Sequence, residues 1–171
     1  MPPSLDEITP SVVKLHEVAE KGLTLNGKVF GTVGLLLPDA GVGAVIPFGP
    51  GGKPPSDEFV VAKARERDAV GVVLTGQYWV NPAPLTRRQA AQDPRDLPLP
   101  SSLEPTERDE QILTTAVVRG QNDVLRILTP IVRGSFGTSL RERQLVREAA
   151  PMSTGEARHL LALIEKASTG K

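Results

Sequence analysis

The sequence has no cysteine, which removes disulfides, thiolate metal sites and thiol nucleophiles together and is compatible with a reducing compartment. Neither sign of charge is in excess. With 20 basic side chains against 20 acidic ones, nonspecific attraction to nucleic acid or to an anionic membrane has no net field behind it. No apolar stretch approaches the roughly 18 residues of a membrane span, and no charged n-region followed by an apolar h-region opens the chain. A cytoplasmic protein without a membrane partner is the expectation. Histidine is scarce too: His16 and His159 both fall in amphipathic helical patterns, at no metal-ligand spacing, and read as solvated or partly buried helix residues. A His-assisted nucleophile is therefore not spelled by the sequence.

What is present suits one domain. A chain of 171 residues buries roughly 70% of the surface its unfolded form exposes, so a real core is expected. Gly and Pro, 16 of each, make irregular loops. Leu5, Ile8, Val12, Leu15 and Ala19 recur at helical spacing up to Gly22. A start at Thr9 suits Pro10 better than the capping box that Ser4 and Glu7 offer. Residues 28–37 and 42–48 read as a hairpin of two strands. Ser56 caps a helix from Asp57 to about Arg67, acidic in its first turn and basic in its last.

The run AVGVVLTGQYWV, residues 69–80, reads as a buried central strand that delivers the only Tyr and the only Trp, Tyr78 and Trp79, to its carboxyl end. Leu74 is expected to be completely buried there. Residues 81–109 carry no apolar period and read as a long loop. Residues 111–119 and 124–132 form the clearest hairpin. Thr138 or Ser139 opens a polar helix to about Ala150, and Ser153 with Glu156 boxes a last helix whose stripe is Ala157, Leu160, Leu161, Ile164 and Ala167. The chain is thus an α+β fold, an about five-stranded, mostly antiparallel sheet with helices packed against one face. It divides into an α+β domain over 1–134 and a C-terminal helical extension over 135–171 packed on the same domain. The order of elements resembles roadblock and profilin-like folds, which implies an adaptor or regulatory role by fold analogy alone.

Motif by motif, catalysis finds little support. Gly49 to Lys53 lie between a strand and a helix, as a phosphate loop would. Yet Pro47 takes the first Gly position, and Pro54 takes that of the Ser or Thr hydroxyl, so an ordinary connector is expected. Asp39 after Pro38 sits where some metal nucleases place an acid, but no E-x-K element follows, and a turn is the plainer reading. The spacing marks no metal or other cofactor site.

The densest polar set surrounds the long loop. Arg108 and Glu110, two apart and so on one strand face, read as an ordered pair near Trp79, joined by Arg126 and Arg133 of the last strand and by Glu104. With Tyr78 these make the candidate binding site: Tyr78, Trp79, Glu104, Arg108, Glu110, Arg126 and Arg133. The strand VVLTGQYWV, the Pro-rich gap, Pro105, Arg108-x-Glu110, the strand from Ile112 and the second strand ending at Arg133 resemble a group of uncharacterised bacterial proteins. In that group a strand ending in Trp leads to a Pro, Arg-x-Glu segment and a final hairpin. The resemblance implies this segment order over residues 28–133 and carries no activity with it.

Two functions follow as expectations. One is a non-enzymatic binding or regulatory domain that acts through a protein partner or by self-association at a sheet edge or the last helix, since Trp, Tyr and Arg are favoured interface anchors. The other is a small hydrolase or phosphate-handling enzyme using the loop carboxylates Glu104, Asp109 and Glu110 with Arg108 or Arg126.

Overall fold

The structure, a computed structural model, describes residues 2–80, 109–134, 137–149 and 155–169, without the side chains of Trp79, Val80 and Asp109. Helix α1 is Leu5–Asn26 and begins at the capping box after all: Ser4 Oγ accepts from the Glu7 amide at 3.2 Å while Glu7 Oε1 accepts from the Ser4 amide at 3.3 Å. Two orphan donors are thereby satisfied, and Pro10 is carried, solvent-exposed, inside the helix instead of at its start. The helix also runs past Gly22. Its stop is Gly27, whose φ of 77° is the left-handed cap conformation and whose amide bonds the Leu23 carbonyl at 2.8 Å.

Strands β1 (Thr32–Leu36) and β2 (Val42–Pro47) pair antiparallel, as the turn chemistry predicts. Asp39 closes that turn by accepting from the Gly41 amide at 2.9 Å. The GPGG tract makes a short 3-10 turn closed by the Gly49 amide on the Lys53 carbonyl at 2.7 Å, an ordinary connector. Helix α2 is Asp57–Glu66, capped by Ser56 Oγ on the Phe59 amide. Then come β3 (Gly71–Val80), β4 (Asp109–Val118) and β5 (Asp123–Gly134), each antiparallel to the strand before it in the sheet. The expected loop over 81–109 lies outside the described residues, except that Asp109 already belongs to β4.

The polar helix expected from 138 to 150 is not there. In its place β6 (Gly137–Leu140) and β7 (Gln144–Ala149) pair end to end along the far edge of β5, bringing the sheet to seven strands in the order β2-β1-β3-β4-β5, then β6 and β7. Between the pairs Ile131↔Leu140 and Leu128↔Gln144, two residues of β5 oppose three, Arg141 to Arg143, which is a bulge. Pro130 explains its position. Proline has no N–H to give the ladder, its carbonyl takes the Arg141 amide at 3.0 Å, and the bulge falls where the missing donor would have been needed.

Helices cover both faces of this sheet, not one. Leu5, Ile8 and Val12 of α1 pack with Leu36, Val73, Ala116, Leu125 and Ile127. On the other face α2 and the last helix, α3 (Gly155–Thr169), pack through Val60, Ala64, Leu160 and Ile164 on Val33, Leu35, Val72, Val117 and Val124. The cause is the uninterrupted apolar stretch of β3, whose Val72 and Val73 point to opposite faces and both need cover. His16, expected to be solvated or partly buried, is fully buried on the α1 side between Thr114 and Thr129. Leu74, expected to be completely buried, is only half-buried because it borders a cavity.

Candidate functional site

Strand parity divides the sequence-selected residues. Glu110 and Arg133 lie on the α1 face, where Arg133 grips the carboxylate with two nitrogens, Nε to Oε1 at 2.9 Å and Nη2 to Oε2 at 3.0 Å. That carboxylate holds the Arg133 guanidinium above its ordinary pKa. Gln77 Nε2 donates to Glu110 Oε2 at 2.7 Å and Gln77 Oε1 accepts from the Val29 amide, so the cluster fastens the chain entering β1 to the central strands. Trp79 is the register partner of Glu110 in the β3–β4 ladder. Glu104 and Arg108 lie outside the described residues.

Tyr78 and Arg126 belong to the opposite face, beneath α3. The Tyr78 ring folds back over Gly76: a Cβ on that glycine would stand 3.1 Å from Tyr78 Cε2. Burial, followed by the nearby Glu156 carboxylate, pushes the Tyr78 hydroxyl up to about 12, with Arg126 opposing. Glu156, in the first turn of α3, is itself raised by burial against the pull of Arg126. Arg126 reaches Glu148 of β7 at 3.5 Å, and its register partner across β4 is Thr115. Arg126 Nε is buried without a hydrogen-bond partner among the described residues, and the Thr115 hydroxyl is buried beside the Glu156 carboxylate. The sequence marks Glu156 only as a helix-capping residue and Thr115 not at all; the shared face of Thr115 and Tyr78 is visible only once the register is known.

Next to this polar group is a cavity of about 340 Å³. Val33, Leu74 and Tyr78 form its floor, and Val60, Leu160 and Leu163 its walls, with Pro54 and Pro55 at the approach to α2. The two helices run parallel, since Asp57 meets His159 at one end and Arg65 meets the carbonyls of Lys166 and Ala167 at the other. The Asp57–His159 contact, Oδ1 to Nε2 at 3.1 Å with both side chains half-exposed, spans the helices at the cavity rim.

A third feature was not selected from the sequence. Among the described residues strand β2 is a sheet edge, paired to β1 alone, and Val42 to Pro47 include no charged residue. Val45 of this strand and, beside it, Val18 and Phe30 are exposed, and a groove of about 270 Å³ runs between α1 and β2.

Among the described residues no group of His, Asp and Glu converges in a way that would hold a metal ion, and no helix is long and apolar enough to cross a membrane. No family model matches the chain, and neither a curated protein nor a solved structure matches it.

Proposed function

We propose that this is a non-enzymatic binding or regulatory domain that works through a protein partner seated on the β2 edge, with a second copy of the chain as the partner to test first. The observation that carries the reading is the contrast between the two sheet edges. The β6–β7 edge is bulged and charged through Arg141, Glu142, Arg143, Arg147 and Glu148, devices that stop a strand from recruiting another. Edge β2 has only a register irregularity near Gly43 and the terminal Pro47, no charge, and exposed apolar side chains alongside. An antiparallel β2–β2 contact would be isologous, so Val45 and Phe30 of one copy would meet the same apolar patch on the other.

The resemblance of the expected element order to roadblock and profilin-like folds favours an adaptor role by analogy alone. The last helix offers no comparable surface, because Leu160 and Ile164 are buried on its own sheet. The hydrolase reading needs a loop carboxylate beside Arg108 or Arg126; of these residues Glu110 is engaged by Arg133 on the face opposite Arg126, while Glu104, Arg108 and the Asp109 side chain lie outside the described residues. Sedimentation velocity over a concentration series tests the proposal. A dimer that Val45→Lys dissociates is expected. The reading is overturned by a chain that stays monomeric and whose Val45→Lys variant captures the same proteins from a cell extract as the parent.

A further inference from the structure

We infer that the cavity between α2 and α3 is a binding site for an uncharged, mainly apolar small molecule whose carbonyl, ether or hydroxyl oxygen accepts a hydrogen bond from Tyr78. This site is separate from the β2 edge, and its fate is independent of that reading. The volume, about 340 Å³, is within the range of small-molecule pockets and too large to be a packing defect. The parallel helices are tied at both ends, Asp57 to His159 and Arg65 to the carbonyls of Lys166 and Ala167, which fixes their relative position around the cavity. Its walls are apolar, aliphatic apart from Phe48, and Tyr78 is the one polar group of its floor, with no hydrogen bond from its hydroxyl to any described residue.

Charge selects the ligand class. Asp57 and His159 at the rim are spent on each other, and Arg126 is shared between Glu148 and Glu156. An anionic head group would meet the Glu156 carboxylate near Tyr78 with no Lys or Arg among the residues lining the cavity to receive it, and a charged group entering an aliphatic wall unpaired is strongly disfavoured. A neutral acceptor meets neither obstacle. Binding would replace poorly hydrated space by apolar contact and give the Tyr78 O–H its missing acceptor.

The test uses the full chain and three probes of similar shape: 2-acetylnaphthalene, 2-naphthoate and 2-naphthylmethylammonium, followed through methyl shifts of Leu74, Leu160 and Leu163. Saturable shifts with the neutral ketone are expected, with both ions at least about tenfold weaker. Tyr78→Phe should weaken the ketone about fivefold, and Leu163→Trp, which fills the cavity, should abolish its binding. Should Leu163→Trp fail to fold by thermal melting, Leu74→Phe fills the same space from the floor. Absence of saturable shifts, ionic probes that bind as well as the ketone, or ketone binding that survives a folded filling variant would each overturn the proposal.

Discussion

His16 Nε2 lies 2.6 Å from Thr129 Oγ1, and that one contact fixes the tautomer of a fully buried ring. The Thr129 hydroxyl gives its proton to the Glu20 carboxylate at 2.8 Å, so toward His16 it can only accept, and Nε2 carries the hydrogen. Nδ1 is then an acceptor, served by the Thr114 hydroxyl at 2.8 Å, and Thr114 in turn accepts from Thr75 at 3.1 Å. The result is a chain of bonds with a single direction from β3 through α1 to β5. Arg143 anchors its end, reaching Glu20 at 2.7 Å and Glu17 at 3.0 Å from the bulge between β6 and β7. The bulge that Pro130 requires is thus also what aims a cation at α1.

The first prediction concerns acid. Burial, then Arg143, lower the His16 pKa from 6.5 to about 4. Between these values the unfolded chain binds a proton that the folded chain does not, so stability falls as pH drops from 6.5 and levels off, for this group, below 4. The full loss is on the order of 3 kcal/mol. Urea melts at intervals between pH 7 and pH 5, above most carboxylate titration, should show it; a flat profile there would mean that the ring is not held neutral.

Tyr78 gives the opposite sign at the other end of the scale. Its folded pKa is raised to about 12 from 10.0, so stability is intact below pH 10 and declines as pH rises toward 12. Because it is the only tyrosine, ultraviolet absorbance of tyrosinate reads it alone. The folded protein should show no wave near pH 10, and the urea-unfolded protein should show one.

Gly76→Ala should disturb that same group. The new methyl would stand 3.1 Å from the Tyr78 ring and 3.4 Å from its hydroxyl, closer than an unshifted ring permits. A loss of about 1–3 kcal/mol is expected, together with a tyrosinate midpoint moved back toward the ordinary value. An unchanged melt and midpoint would show that the ring does not lie over the glycine.

Arg143→Ala should destabilise by about 1–3 kcal/mol, since it leaves the mostly buried Glu20 carboxylate without its cation. Arg147→Ala is the control. That arginine also pairs with α1, at Asp6, but both partners are exposed, and its loss should cost under about 1 kcal/mol. Equal effects in paired thermal melts would remove the special role of the bulge.

Elements whose evidence is local could be read from the chain. Ser56 with Asp57 and Glu58 sets the start of α2 because a cap acts on amides two or three residues away. Gly120, with φ of 81°, turns the β4–β5 hairpin, and the spacing of Ala157, Leu160 and Ile164 marks the buried stripe of α3. The helix expected over 138–150 fails for the complementary reason. Arg141, Glu142, Arg143 and Glu148 are tolerant of a helix, and nothing within the segment says that β5, 12 residues long, presents an edge for it to pair with.

The candidate site followed the same division. Sequence alone delivered Tyr78 and Trp79 to a strand end and placed Glu110 and Arg133 near one another in polarity, but a strand alternates faces at every residue. One step of parity sends Tyr78 to α3 and Arg126, and puts Glu110 under α1 with Arg133. Which helix covers which face was decided by tertiary packing, because both faces of β3 are apolar and local pattern cannot distinguish them. The same holds for His16: its helical spacing put it in line with the core stripe, while the threonines that make its burial tolerable come from strands 98 and 113 residues away. Hydrogen bonds across a sheet depend on what stands opposite, and that is a property of register that no window along the chain contains.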